Sequence, residues 1–315
     1  MRALRFEVAE SEAGRRLDSV LASHPEIGSR SLAERLIGEG AVRVDGVSRP
    51  KSHRLRGRAV VEVVLPDGEE RATPGQPTVP VVWADDALLV VDKPAGLVVH
   101  AGAGARGPTL ADALVRLGAT GGPDPARPGI VHRLDRGTSG LLVVARSEET
   151  WSRLVEAIRR REVERRYLAL VRGRPRSRSG RIDAPIGRDR RDPTRQSLDT
   201  DEPKEAVTFF EVLETLPEHA LLDVRLETGR THQVRVHLAA IGLPVAGDAT
   251  YGAAGDLGLE RQFLHAHRLR LAHPLTGEEL SLSSPLPEDL ERALARARTA
   301  RPIEATAGSS ARRDR

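Results

Sequence analysis

The sequence predicts an α+β protein of two domains, and three observations carry that expectation. Apolar residues recur with a period near 3.6 in some segments and near 2 in others, so helices and strands are both expected. In the longer part of the chain, strand-like segments follow one another without strand–helix–strand alternation. That points to a mixed, mainly antiparallel sheet with flanking helices. A polar stretch rich in Pro and Gly, DGEERATPGQPT at 67–78, separates this part from a smaller N-terminal one. The 315 residues, 39% of them hydrophobic, suffice for two cores. The expected division is 1–66, a linker at 67–78, a larger domain at 79–295, and a flexible basic tail at 296–315.

The elements follow in order. RRLDSVLAS places Leu17, Val20 and Leu21 on one helical face. In SLAERLIGEG, Ser31 with Glu34 has the spacing of a capping box, and Gly38 and Gly40 end the helix. AVRVDGV alternates around an Asp-Gly turn and reads as a hairpin, with RAVVEVVLP as a closing strand. Beyond the linker, PVVWADDALLVVDKP gives two short strands, and TLADALVRLG a helix capped by Thr109 with Asp112 three residues on. GIVHRLD and GLLVVARS read as strands on either side of a turn. EETWSRLVEAIRRREV is an amphipathic helix with Trp151, Leu154, Val155 and Ile158 on one face. RRYLALVRG, AVTFFEVLETL, HALLDVRLETG, RQFLHAHRLRLAHP and EELSLSSP read as strands, and THQVRVHLAAIG as the start of a helix ended by Gly242.

Composition narrows the chemistry. The chain has no cysteine, which excludes disulfides, thiolate zinc sites and cysteine nucleophiles and fits a reducing cytoplasm. The charged N-terminus has no secretory apolar region. Apolar runs such as ALLVV are far shorter than the roughly 20 residues of a membrane helix. A cytoplasmic protein without membrane association is expected. Net charge is only +4, yet fourteen arginines face five acids between Arg159 and Arg195, and RPKSHRLRGR holds five cations and no acid. Two such zones suit phosphate contacts, although arginine-rich loops also simply solvate well. Aromatics make up 3% of the chain, too few for a base-stacking platform of the single-strand-binding kind.

Two stretches concentrate polar chemistry. In HRLDRGTSG, Asp135 lies between Arg133 and Arg136, cations that favour an ionised carboxylate, and a Gly-Thr-Ser-Gly turn follows. The plainer reading, preferred on local chemistry alone, is an exposed turn with an Arg-Asp-Arg ion pair. In TGRTHQVRVH, Arg230, His232, Gln233 and Arg235 could line a donor-rich site, with Arg230 neutralising a buried carboxylate; alternatively this is a helix start with a polar outer face. Zinc is not expected: His232 and His237 are five apart and no Glu completes an H-E-x-x-H pattern. Tyr167 is either a core aromatic or the roof of a pocket. AGAGARG at 101–107 lacks the Gly-Lys-Ser/Thr ending of a phosphate loop, so no nucleotide cofactor is expected.

Taken together, these stretches resemble one family. GIVHRLDRGTSGLLVVAR is similar to the signature of RluA/RluD-type pseudouridine synthases, in which HRLD is followed by two variable residues and TSGL. VVDKPAGLVVH with TLADAL, RRYLALVRG, TGRTHQVRVHL with GLPVAGDATYG, and LHAHRLRLAHPLTGE with SSPLP occur in the family's order. Residues 14–66 resemble the S4 RNA-binding fold. Gly137 stands where many relatives have Asp, and Arg146 and Arg165 where Lys is frequent.

The resemblance implies an S4-like RNA-binding module ahead of a catalytic domain that isomerises uridine to pseudouridine. Asp135 is implied as the catalytic aspartate, Arg230 as its arginine partner, Tyr167 as a ring that stacks on the base and assists loss of the C5 proton, and Arg133 as the residue that helps extrude the base. Arg30, Arg43 and Lys51 are candidate contacts to RNA backbone. The reaction conserves atoms, so no cofactor and no metal are expected. The implied partner is structured RNA, with large-subunit ribosomal RNA, free or in an assembling particle, ahead of transfer RNA; a monomer is expected. A non-catalytic role in ribosome assembly would use the same surfaces. A retaining glycosidase ranks last, because no second acid accompanies Asp135.

Overall fold

The computed structural model describes residues 2–24, 27, 30–65, 77–99 and 109–299. They divide into two compact units, one drawn from 1–78, 98–130 and 145–151, the other from 79–97, 131–144 and 152 onward. Most of the 67–78 linker and the chain after 299 lie outside the described residues.

In the first unit, β1 (Arg2–Glu7), α1 (Leu17–Ser23), α2 (Arg30–Gly38), β2 (Val42–Val44) and β3 (Val60–Leu65) enclose one core. β3 is central and antiparallel to both neighbours, with Phe6↔Val61 on one side and Val44↔Val61 on the other. Val61 and Val63 are buried at period 2, and Leu17, Val20 and Leu21 at helical spacing. The Asp-Gly turn is present: Asp45 and Gly46 have φ of 51° and 74°, as a type I′ turn requires, and Val44 and Val47 exchange both backbone hydrogen bonds. The hairpin expected there stops at that pair, however; β2 finds its long partner in β3, and the Asp45 carboxylate accepts the Val60 N–H at 2.8 Å. α2 begins at Arg30, so Ser31 lies inside it; the side chains of Arg30 and Ser31 are outside the described part.

The second unit is a nine-stranded sheet in the order β4 (Val81–Ala84), β5 (Leu88–Lys93), β6 (Ser139–Ala145), β13 (Leu264–Ala272), β7 (Glu164–Arg172), β12 (His219–Leu226), β11 (Val207–Thr215), β8 (Ser179–Asp183), with β14 (Glu279–Ser283) also on β13. β13 runs parallel to β6 and antiparallel to β7 and β14, so the sheet is mixed and mainly antiparallel, as expected. β9 (Gly187–Arg188) and β10 (Gln196–Ser197) form a separate hairpin, and this unit's helices are α5 (Gln233–Ala240), α6 (Glu288–Thr299) and most of α4 (Glu148–Arg159), while α3 (Leu110–Arg116) belongs to the first unit. At α3, Asp112 accepts both the backbone N–H and the hydroxyl of Thr109, the reciprocal cap read from the sequence.

Three expectations change. VHRLD carries no strand: residues 131–138 run irregularly into β6, because their hydrogen bonds go to side chains and turns rather than to a ladder. α6 runs to Thr299, so residues 296–299, assigned to the tail, are helical; Leu290, Ala293, Leu294 and Ala297 form its buried stripe. β1, β8, β9 and β10 had no strand assigned, being short or heavily charged.

β6 is buried along its whole length, the pattern of a central strand covered on both faces. Its second residue explains part of the TSG motif. Gly140 has φ of 114°, and a Cβ there would lie 2.3 Å from the Ala266 carbonyl oxygen on β13. Gly140→Ala is therefore expected to destabilise the fold by roughly 3 kcal/mol or more in urea titrations; an unchanged midpoint would contradict this contact.

Candidate active site

Asp135 lies in the irregular segment just before β6. Its carbonyl accepts the Thr138 N–H at 3.0 Å, closing a turn that brings Gly137, Thr138 and Ser139 to the sheet. That turn is clamped from β13's approach: Gln262 donates to Thr138 Oγ1 at 3.1 Å, and Arg261 donates to the Gly137 carbonyl at 3.0 Å while forking onto Asp289 of α6 at 2.6 and 2.9 Å. Lys93, the last residue of β5, is fully buried and donates to the carbonyls of Pro94, Leu97 and Arg136 at 2.9, 3.0 and 3.3 Å. Burial pushes its amine down to about 7, the charge of Asp135 opposing that and Arg261 reinforcing it.

The cation on Asp135 is Arg235, not Arg230. Arg235, on α5, donates through Nη1 to Asp135 Oδ2 at 3.1 Å, and through Nε and Nη2 to both oxygens of Asp248 at 2.7 and 2.9 Å. Its side chain is 7% exposed and those of Asp135 and Asp248 are 14% and 0% exposed, so this is a nearly dry acid–base–acid triad. The two carboxylates hold the guanidinium above its ordinary pKa against the cost of burial, and Arg235 in turn holds Asp248 low. Arg230 is exposed and its Nε donates to the Glu205 carbonyl at 2.9 Å. The physical reason is helical geometry. Arg230 precedes α5, whereas Arg235 sits in its first turn, on the face turned into the unit.

The remaining expected residues fall as follows. Tyr167 is 5% exposed on β7, opposite Ala266 of β13, which itself pairs with Gly140 of β6. Two strand spacings thus separate Tyr167 from the turn that carries Asp135. Burial raises its phenol, Arg165 works against this and the charge of Asp135 adds to it, so the hydroxyl stays protonated at neutral pH. Arg133 is exposed and makes no hydrogen bond or ion pair among the described residues. In the first unit, Arg43 is exposed on β2, paired in register with Glu62, and Lys51 pairs with Glu34 at 3.0 Å. Exposed pairs of that kind add little stability and exchange readily for other anions.

Sequence reasoning singled out neither Lys93, Arg261, Asp248 nor Tyr251. Lys93 left a signal, a cation ending the apolar run LLVVDK; the others become legible only once strands distant in sequence pair. The histidines that might have suggested a metal are occupied otherwise. His237 bridges Thr208 and the Ala184 carbonyl, His265 bridges Ser139 and the Ser284 carbonyl, and His273 faces Asp85. Among the described residues no three His, Asp or Glu side chains gather as metal ligands.

His132 accepts the Val143 N–H through Nε2 at 3.1 Å, and burial, helped by the charge of Arg165, lowers its pKa to about 3. Between pH 6.5 and 3 the unfolded chain binds a proton there that the folded chain refuses, so stability must fall as pH falls through this window. His132→Gln should lose less stability than wild type between pH 6.5 and 4, as read by urea unfolding. Arg235→Met should cost about 3–5 kcal/mol by leaving two buried carboxylates unpaired, and Arg230→Met under about 1 kcal/mol; equal effects would refute the assignment of partners.

Residues 87–240 match the RNA pseudouridylate synthase family, and residues 15–61 match the S4 domain. A Mycobacterium bovis protein named uncharacterized RNA pseudouridine synthase is 44% identical over 300 residues, covering 91% of this chain and 96% of its own. Ribosomal large subunit pseudouridine synthase D of Xanthomonas campestris pv. campestris is 43% identical over 300 residues, covering 90% and 89%. Among solved structures, human RNA pseudouridylate synthase domain containing 1 aligns with a TM-score of 0.54 at 30% identity, over 67% of this chain and 84% of that one. The chain therefore belongs to the RNA pseudouridylate synthase family: it is an RNA-modifying isomerase with an S4 domain at its N-terminus.

Proposed function

We propose that this enzyme isomerises uridines of large-subunit ribosomal RNA, with Asp135 as the group that acts on the ribose. The observation that carries the reading is the buried contact of Asp135 with Arg235. The carboxylate side chain is only 14% exposed, so a charge-assisted partner there matters more than it would in water. The Arg235 guanidinium 3.1 Å away pairs with this carboxylate and fixes the oxygen it presents for attack on C1′ or removal of a ribose proton. The N1–C1′ bond breaks, the uracil turns within the site, C5 bonds to C1′, and the C5 proton leaves to solvent while N1 takes up a proton. Substrate and product contain the same atoms.

The other residues divide the work. Arg133, exposed beside Asp135 in the chain and without a competing partner among the described residues, takes the place of the departing base or holds a phosphate as the nucleotide swings out. Unstacking costs a few kcal/mol, which such contacts offset. Tyr167 offers its ring to the base. Its raised pKa disfavours a phenolate, so stacking and a donated hydrogen bond suit it better than taking the C5 proton. Arg43 and Lys51 of the S4 domain, with Arg30, grip the RNA backbone and give affinity without sequence readout. Names of relatives such as the Xanthomonas protein favour ribosomal over transfer RNA as substrate.

Pseudouridine mapping across total RNA from a strain lacking the protein tests both halves. Sites should vanish from large-subunit ribosomal RNA, return with the wild-type chain and stay absent with Asp135→Asn, whose turnover should fall at least about 10³-fold. Loss confined to transfer RNA would overturn the substrate, and restoration by Asp135→Asn would overturn the residue.

A further inference from the structure

Arg235 engages only one oxygen of Asp135. The other, Oδ1, faces Nε2 of His232 at 4.0 Å. His232 is the residue just before α5, and its backbone is left-handed, with φ of 57° and ψ of 15°. A histidine enters that region at a cost of about 1 kcal/mol or more, so something must hold the ring where it is. The holder is Tyr251. Its hydroxyl lies 2.9 Å from His232 Nδ1, the two rings meet edge to face, and the Arg235 guanidinium lies 5.0 Å from the Tyr251 ring centroid. The same short loop supplies Asp248, which accepts the N–H groups of Thr250 and Tyr251 at 2.9 and 3.1 Å while gripping Arg235. On the other side, Gln196 of the β9–β10 hairpin donates its N–H to the Tyr251 hydroxyl at 2.9 Å, and Arg195 lies 5.1 Å from the ring centroid.

These contacts favour one placement of the protons. A phenol has one proton to give and lone pairs to receive. The Gln196 N–H occupies one lone pair, and among the described residues the acceptor within reach of the hydroxyl proton is His232 Nδ1. In the neutral imidazole the remaining proton then sits on Nε2, the nitrogen that faces Asp135. A shift of about 1 Å closes that gap to a hydrogen bond, a tightening of the kind expected when a site fills.

We propose that Tyr251 and His232 form a positioning pair for Asp135: the phenol holds the imidazole as its Nε2–H tautomer, and that N–H steadies Oδ1 while Arg235 steadies Oδ2. Each carboxylate oxygen keeps a lone pair for chemistry, but rotation about Cβ–Cγ is stopped and one oxygen edge is presented to the ribose. The charged and titratable groups around the imidazole are Asp135, Arg235, Asp248, Arg133 and the Tyr251 phenol. The inference rests on Asp135 being the reacting carboxylate.

The test combines spectroscopy with kinetics. In the full-length protein, the ¹⁵N spectrum of the histidines, with His232 assigned by its loss in His232→Gln, should show an unprotonated Nδ1 and a protonated Nε2. Tyr251→Phe should erase that bias while leaving the melting temperature near that of wild type. On unmodified large-subunit ribosomal RNA, with release of the C5 proton as readout, Tyr251→Phe and His232→Leu should lower kcat about 10- to 30-fold with KM nearly unchanged. His232→Gln, whose amide N–H falls close to the place of Nε2–H, should recover to within about 3-fold of wild type. A protonated Nδ1 in wild type, or a Gln variant as slow as the Leu variant, would overturn the proposal. Turnover by Asp135→Asn, or none by wild type on this RNA, would instead overturn the functional reading beneath it, and the tautomer would still decide the pairing.

Discussion

The second unit is organised around one electrostatic constraint: three charges, Asp135, Arg235 and Asp248, are held almost out of water. Such a group is costly to bury and gains stability only if every donor and acceptor is matched. Much of the surrounding structure serves that matching. Asp248 takes two backbone N–H groups besides the guanidinium, the Tyr251 ring lies against Arg235, and Lys93 ties down the carbonyl of Arg136, next to Asp135 in the chain. The unit thus contributes two things at once. It gives a nearly buried carboxylate a cationic partner, and it limits that carboxylate's freedom to turn.

Much of this was legible in the sequence. Segments with unambiguous periods, such as LLVVA in β6, YLALV in β7 and the α4 face, became the elements expected of them. The stretch around Asp135 stood out because charge, hydroxyls and glycine crowd against an apolar run. The pairing of Asp135 with Arg235 was less legible. TGRTHQVRVH offers two arginines five residues apart, and which of them faces inward depends on the exact start of α5, set by the left-handed turn at His232. Gln233 fixes that start by donating to Val207 and Thr208 and accepting from Arg230 and Thr228, contacts that no local pattern reveals. VHRLD misled for a related reason. Its apolar residues look like a strand, but Leu134 is buried from an irregular segment whose polar groups are met by side chains.

The basic zones gain a more specific meaning as well. Several of the arginines between 159 and 195 are already paired: Arg159 and Arg160 with Glu156, Arg161 with Glu205 and Glu227, Arg166 with Glu164 and Asp223, and Arg190 with Asp199 and Asp201. Counting charge along the chain therefore overstated the free positive potential of this region. An arginine without an acid among the described residues, such as Arg133, is a better guide to free positive charge than the density of the run.

The clamp on the Gly137–Ser139 turn has a consequence for how the protein is made. Arg261 grips that turn while bracing against Asp289, far along the chain in α6. A growing polypeptide that has emitted HRLDRGTSG still lacks over a hundred residues before the brace arrives. Synthesis runs from the N-terminus at about 5–20 residues per second. The S4 domain can therefore be complete for several seconds before the turn that follows Asp135 receives this brace.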